Sequence, residues 1–213
     1  MRCDKKDLLL YGVTDRSWLG DRTLAQQVEA SLRGGATMIQ LREKHMDRGS
    51  ILAQALELRE LCGRYGVPLI LNDDAELAQA AGADGVHVGQ SDMEAGRVRA
   101  LLGEDKLIGV SARTVEQALA AQAAGADYLG VGAMFPTGTK QDTRPVSYDT
   151  LKALCAAVDI PVVAIGGIGA GNVAELAGSG IAGVAVVSAL YAQPDVEAAT
   201  RSLRAQVERV VGP

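Results

Sequence analysis

Ala124-Gly125-Ala126-Asp127-Tyr128-Leu129-Gly130-Val131 joins the end of a helical pattern to the start of an apolar strand. A glycine just past a helix end takes the left-handed cap without a Cβ clash, and the small residue after it lets the chain turn close to a sheet. The same joint recurs as Gly34-Gly35-Ala36, Ala81-Gly82-Ala83-Asp84 and Ser179-Gly180-Ile181-Ala182. Each ends a helical pattern and leads into a strand, so the chain repeats one supersecondary unit.

Working outward, strand-like runs cover Leu8–Thr14, Thr37–Arg42, Pro68–Leu71, Gly85–Val88, Leu107–Ser111, Tyr128–Val131, Pro161–Ile165 and Gly183–Val187. Helical patterns lie between them at Leu24–Arg33, Ile51–Tyr65, Glu76–Ala81, Glu94–Leu102, Val115–Ala124, Tyr148–Val158 and Val173–Gly178, and another follows at Val196–Val210. Strict alternation predicts a parallel sheet with crossover helices. Eight units in 213 residues fit a single closed (β/α)8 barrel spanning residues 1–213. An open doubly wound sheet is the alternative, but no glycine fingerprint follows the first strand, where that fold places a dinucleotide.

Composition narrows the function. Aromatic residues are 3% of the chain, so aliphatic residues, alanine and glycine must build the core. The formal net charge of −5 offers nothing to nucleic acid or an anionic membrane. Cys3, Cys62 and Cys155 lie far apart, form no CxxC pair and suit a reducing cytoplasm. The apolar run near the N-terminus is too short for a signal peptide, and no run reaches the length of a membrane helix. The sequence leaves a homo-oligomer open.

A barrel places function at the C-terminal ends of its strands. Those ends are polar here. The second strand runs into Gln40-Leu41-Arg42-Glu43-Lys44, with Gln40 and Arg42 on one face. The third ends in Asn72-Asp73-Asp74 and the fourth in His87-Val88-Gly89-Gln90-Ser91-Asp92. Each acidic group has two readings: a helix cap, or a ligand for a hard divalent cation carrying a phosphate. His87 fits a satisfied core histidine better than a catalyst, and His45 reads as a loop residue. The fifth strand ends at Ser111, with no spacing of a nucleophile elbow. After the sixth comes the longest irregular stretch, Gly132 to Pro145, carrying Thr137, Thr139 and Lys140 as donors for an anion. The seventh ends Ile165-Gly166-Gly167-Ile168 and the eighth Val187-Ser188-Ala189, where barrels commonly bind phosphate.

These strand ends together resemble the thiamine-phosphate synthase family, from Tyr11-Gly12-Val13-Thr14-Asp15 to Val187-Ser188-Ala189. Gln40 to Lys44, Gly85 to Asp92 and Phe135 to Lys140 carry the resemblance most specifically. It implies a (β/α)8 barrel and a Mg²⁺-dependent transferase with two small phosphorylated heterocycles as substrates. An aminopyrimidine methyl diphosphate is joined to a thiazole phosphate, giving thiamine phosphate and pyrophosphate. By the resemblance, Gln40, Leu41, Arg42, Glu43, Lys44, Asn72, Ser111 and Lys140 hold the pyrimidine diphosphate. Asp73 and Asp92 are its metal ligands. Thr137, Gly138, Thr139, Gly167, Val187 and Ser188 hold the thiazole phosphate. Lys140, Ser111 and Arg42 are the catalytic set. Asp74, Arg113 and Ser147 depart from the arginine, histidine and glycine frequent in the family, and Asp74 adds negative charge beside the implied metal. A thiazole tautomerase-type paralogue and a non-catalytic phosphoryl-ligand-binding barrel are the rival readings.

Overall fold

The structure, a computed structural model, describes residues 3–137 and 145–212. Eight parallel strands close into a barrel in chain order: β1 (Leu10–Val13), β2 (Met38–Leu41), β3 (Leu69–Asn72), β4 (Gly85–Val88), β5 (Leu107–Ala112), β6 (Tyr128–Gly132), β7 (Val162–Ile165) and β8 (Gly183–Val186). Around them lie α1 (Leu24–Gly34), α2 (Arg48–Tyr65), α3 (Ala75–Ala81), α4 (Ala95–Leu102), α5 (Val115–Ala123), α6 (Tyr148–Ala157), α7 (Ser188–Tyr191) and α8 (Val196–Val211). The register Leu10 with Val184 and Tyr11 with Ala185 closes β1 onto β8, which excludes the open doubly wound sheet.

The repeated joint does more than turn the chain. Gly35, Gly82, Gly125 and Gly180 all have positive φ, as the left-handed turn requires. The residue two places on then reaches back to the preceding strand. Thr37 Oγ1 accepts from the Leu10 N–H at 2.9 Å, Asp84 from Leu69 at 2.8 Å and Asp127 from Ile108 at 2.8 Å. Three joints thereby satisfy backbone donors at the base of the barrel, where an unpaired N–H would be costly. The fourth carries Ala182 in that place and has no side-chain oxygen to offer.

The seventh crossover differs from its expected helix over Val173–Gly178. It is a single 3-10 turn, Val173–Leu176. Gly178 and Gly180 take positive φ immediately after it, and the segment is too short to propagate an α-helix. The eighth strand is instead followed by the extra four-residue helix α7 before α8 begins.

Two apolar regions flank the strands. The larger lies between barrel and helices and takes Ile39, Leu41, Leu71, Val86, Val131 and Ala164 from the strands. The smaller fills the lumen with Tyr11, Val13, Met38, Ile70, Tyr128, Val163 and Ala185, closed below by Cys3 and Leu8. Side chains alternate between the two with the strand period of two. Gln40, His87 and Ser111 share the inward parity of these lumen residues.

Candidate functional site

The mouth at the C-terminal strand ends is built by loops whose local chemistry separates structural from available groups. Asn72-Asp73-Asp74 is one case. Asp74 caps α3, its Oδ1 accepting from the Leu77 N–H at 2.8 Å, and Arg48 lies 3.3 Å from the same oxygen. The departure at position 74 is thus a helix cap whose charge is offset by an arginine. Asp73 caps nothing. It has φ +66, a left-handed conformation in which aspartate is tolerated, and its N–H donates to the His87 carbonyl at 2.8 Å. That kink turns its carboxyl to Lys44, whose Nζ is 2.7 Å from Asp73 Oδ2.

The next acid follows the same logic. Glu94, not Asp92, caps α4, accepting from the N–H groups of Gly96 and Arg97. Asp92 Oδ2 accepts from the Gly89 N–H at 2.7 Å within its own loop. The Asp73 and Asp92 carboxyls also meet in hydrogen-bonding range. Burial raises the Asp73 pKa, but the Lys44 hydrogen bond and charge, with bonds involving Asp92 and Asn72, reverse this and hold it below the usual carboxylate range. Two carboxyls in contact repel when both are ionised unless a cation sits beside them. Lys44 occupies that role here. Two hard oxygen donors, both released from capping, suit Mg²⁺, which takes one or two carboxylates and completes its shell with water and substrate phosphate. Among the described residues no group of three or more potential metal-binding side chains occurs.

The Gln40–Lys44 segment divides between inside and outside. Gln40 is buried in the lumen. Leu41 points outward into the core beneath the helices, so only its backbone can face a ligand. Arg42 is half-buried, and its N–H donates to Thr14 Oγ1 at 3.0 Å, tying the end of β2 to β1. Glu43 is tied to the loop after β1: its side chain is 5% exposed and its Oε1 lies 2.8 Å from Arg16 Nε, an ion pair off the line of a hydrogen bond. Burial pushes the Glu43 carboxyl up, with the arginine opposing. Arg16 and Glu43 therefore hold two mouth loops together.

On the opposite wall, Ser111 Oγ lies 3.0 Å from His87 Nε2, and the Ser111 carbonyl accepts from Gln90 Nε2 at 2.7 Å. The loops after β6 and β7 are laced: the N–H groups of Met134 and Phe135 each donate at 3.0 Å, to the carbonyls of Ile165 and Gly166. Gly167, at φ +67, passes so close that a Cβ there would lie 2.5 Å from the Pro136 carbonyl oxygen. Asn172 fixes the turn, donating to the Gly167 carbonyl and accepting from the Gly169 N–H, both at 2.9 Å. Val187 precedes α7 and Ser188 opens it, exposed, where the first N–H groups of a helix have no partner within it. Thr137 is half-buried at the edge of the β6 loop. Gly138, Thr139 and Lys140 lie outside the described residues. Of the other departures, Ser147 caps α6, accepting from the Thr150 N–H at 3.1 Å, and the Arg113 N–H donates to Gln117 Oε1 at 2.8 Å.

Sequence reasoning missed several participants. Arg16 and Asn172 carry no local signal, because their partners are set by loop docking. Gln90 stood inside a quoted motif without an assigned role, and His87, read as a satisfied core histidine, is hydrogen-bonded to Tyr128 and Ser111 in the lumen. Tyr11 and Tyr128 read as strand apolar residues, and the structure turns both phenols into the lumen toward Gln40 and His87.

A family model described as thiamine monophosphate synthase matches residues 10–190. The thiamine-phosphate synthase of Chloroflexus aurantiacus is 50% identical over 202 residues, covering 94% of this chain and 93% of the relative. That of Ruminiclostridium cellulolyticum is 48% identical over 199 residues, covering 93% of this chain and 95% of the relative. A solved structure of thiamine phosphate pyrophosphorylase from Pyrococcus furiosus aligns with a TM-score of 0.90 at 38% identity, over 98% of this chain and 99% of that one. Among the described residues no helix is long and apolar enough to cross a membrane.

Proposed function

The chain belongs to the thiamine monophosphate synthase family, and from that premise we propose that it makes thiamine phosphate. It joins 4-amino-2-methyl-5-(diphosphooxymethyl)pyrimidine to 4-methyl-5-(2-phosphoethyl)thiazole, or the carboxylated thiazole, and releases pyrophosphate. The observation that carries this reading is that Asp73 and Asp92 meet beside Lys44 although neither caps a helix. A tautomerase or a simple phosphate binder has no use for two adjacent carboxyls facing a lysine at the mouth.

The chemistry asks little proton transfer of the protein. The thiazole ring nitrogen has no proton to lose, and the electron-rich aminopyrimidine stabilises a methylene cation as the C–O bond to diphosphate breaks. The nitrogen then forms the new C–N bond. Such a dissociative substitution needs charge neutralisation on the leaving group and two rings held in register. Arg42, Lys44 and Lys140 supply positive charge to the diphosphate, and Ser111 and Asn72 supply hydrogen bonds. Asp73 and Asp92 would hold a Mg²⁺ ion, which when bound adds charge neutralisation for the leaving diphosphate. Thr137, Gly138, Thr139, Gly167, Val187 and Ser188 receive the thiazole phosphate, with glycine at 167 allowing close approach of the backbone. Glu43 holds the loop of Arg42 and Lys44 in place through Arg16, and Leu41 contributes its backbone alone. Three free thiols are compatible with a cytoplasmic setting.

The test is an assay with both purified substrates and Mg²⁺, following thiamine phosphate and pyrophosphate. Equal amounts of the two products are expected. Isomerisation of the thiazole without product formation would support the tautomerase instead, and binding without turnover would support the sensor.

A further inference from the structure

Five polar side chains from five strands link into one chain across the barrel lumen. Gln40 Nε2 donates to Tyr11 Oη at 2.7 Å. Tyr11 Oη lies 2.9 Å from Tyr128 Oη. Tyr128 Oη lies 3.3 Å from His87 Nδ1, and His87 Nε2 lies 3.0 Å from Ser111 Oγ. The rings pack as well as bond: Tyr11 and Tyr128 meet edge to face with centroids 6.0 Å apart, and His87 and Tyr128 at 5.5 Å. The lumen gives up two side chains to seat them. A Cβ at Gly109 would collide with the Tyr128 ring and His87 Nδ1, and one at Gly130 would lie 2.9 Å from His87 Cε1.

The chain has a direction. Each phenol carries one proton, and burial keeps both phenols neutral by raising their pKa values. With the Gln40 amide donating to Tyr11, the Tyr11 proton goes to Tyr128 and the Tyr128 proton to His87 Nδ1. Neutral His87 then holds its own proton on Nε2 and donates to Ser111 Oγ. The Ser111 proton is left for the mouth, and Gln40 keeps its carbonyl oxygen for the mouth. The opposite order satisfies the chain equally well, with the amide flipped and every proton reversed. It would present an amide N–H₂ and a serine lone pair instead. The two ends, on opposite walls, cannot choose independently.

We infer that Tyr11, Tyr128 and His87 are positioning residues that lock the Gln40 amide and the Ser111 hydroxyl into one shared hydrogen-bond order, and so set the preference for an amino group on the pyrimidine. The inference rests on the proposed substrate. An amino group donates to the Gln40 carbonyl oxygen while a phosphate oxygen accepts from the Ser111 hydroxyl, so the aminopyrimidine diphosphate selects the first order at both ends. A 4-oxo analogue presents an acceptor where the amino group was and demands the reversed order.

Two measurements test this. In the protein saturated with the aminopyrimidine diphosphate, nitrogen-15 NMR reads the imidazole tautomer directly. The chain has two histidines, and His45→Gln assigns the remaining signal to His87. The Nε2–H tautomer is expected at neutral pH, and an Nδ1–H tautomer overturns the inference whether or not the enzyme makes thiamine phosphate. In the assay, Tyr128→Phe keeps the ring in its slot between Gly109 and Gly130 and removes the link. Tyr11 can then turn its proton to Gln40, and the amide is free to flip. Selectivity for the amino over the 4-oxo substrate in kcat/KM should fall about tenfold, a hydrogen bond's worth, with the thiazole-phosphate KM unmoved. Tyr11→Phe should give the same loss. Equal loss on both pyrimidines, or none, would mean that the phenols only fill space. Absence of product from the wild-type protein with a correct tautomer would sink the proposed reaction and leave the ordered chain standing.

Discussion

The Lys44 ammonium lies 2.7 Å from the Asp73 carboxylate, bridging the ends of β2 and β3 at the place where the proposed metal and diphosphate meet. In the free protein Lys44 neutralises Asp73. A divalent ion at Asp73 must displace it, and the displaced lysine becomes available to the diphosphate. Lys44→Met should therefore tighten binding of Mn²⁺ alone and weaken binding of pyrophosphate alone. Both partners are substantially exposed, so the pair contributes at most about 1 kcal/mol and the metal effect stays within about fivefold. Titration followed by electron paramagnetic resonance reads the metal, and calorimetry reads the pyrophosphate. Weaker Mn²⁺ binding in the variant would show that Lys44 is not the competitor.

The three neighbouring acids should separate cleanly. Asp74 caps α3, so Asp74→Asn leaves stability nearly unchanged, whereas Asp74→Ala costs about 1 kcal/mol. Asp73→Asn should fold normally, because asparagine also accepts the left-handed backbone at φ +66. Asp73→Asn and Asp92→Asn should each lose most turnover and regain part of it at high Mg²⁺. Melting temperature and Mg²⁺-dependent turnover check all four variants, and full activity of Asp73→Asn at ordinary Mg²⁺ would remove Asp73 from the metal.

Gly167 tests the thiazole side. A side chain there meets the Pro136 carbonyl at 2.5 Å and must also hold φ +67, so Gly167→Val displaces the Phe135–Pro136 backbone from the β7 loop. The thiazole-phosphate KM should rise strongly, with pyrimidine-diphosphate binding much less affected. Steady-state kinetics with each substrate varied decides it, and equal damage to both would indicate general misfolding.

Lys140 stands in the Thr137-Gly138-Thr139-Lys140 run, and its proposed role is charge neutralisation on the leaving group. Lys140→Ala should cut turnover by about 3 kcal/mol, roughly a hundredfold, without lowering the melting temperature. Wild-type turnover with both substrates saturating would take Lys140 out of the site.

At the base of the barrel, Arg99 forms a nearly buried ion pair with Asp127 and donates to the carbonyls of Gly103, Lys106 and Gly125. Removing the arginine takes away the ion pair and the donor that these three carbonyls share. Arg99→Met should lower unfolding free energy by about 3 kcal/mol, read by urea denaturation, while the folded fraction keeps its kcat. Unchanged stability would reduce the pair to a surface contact.

What the sequence by itself determined follows from one-dimensional patterns. Alternating strand and helix periods, with a glycine joint repeated four times, specify eight repeating units and hence the barrel. Polar residues where apolar runs stop mark its mouth. These signals are local, because helix period, strand period and glycine φ depend on neighbours a few residues away. Even so, local chemistry left Asn72-Asp73-Asp74 and Asp92 ambiguous, since a cap and a ligand call for the same carboxylate. In the tertiary structure α3 and α4 start one residue after Asp74 and Glu94, so these two are the caps and Asp73 and Asp92 cap neither helix. The tertiary structure also tied Glu43 to Arg16 and shortened the seventh crossover to one 3-10 turn. The lumen was the least legible part. Tyr11, Gln40, His87, Ser111 and Tyr128 lie up to 117 residues apart, and they meet because the closed register aims all five inward while Gly109 and Gly130 leave them room. Strand periodicity gives a side chain its parity; only closure of the barrel decides which side chains of that parity touch.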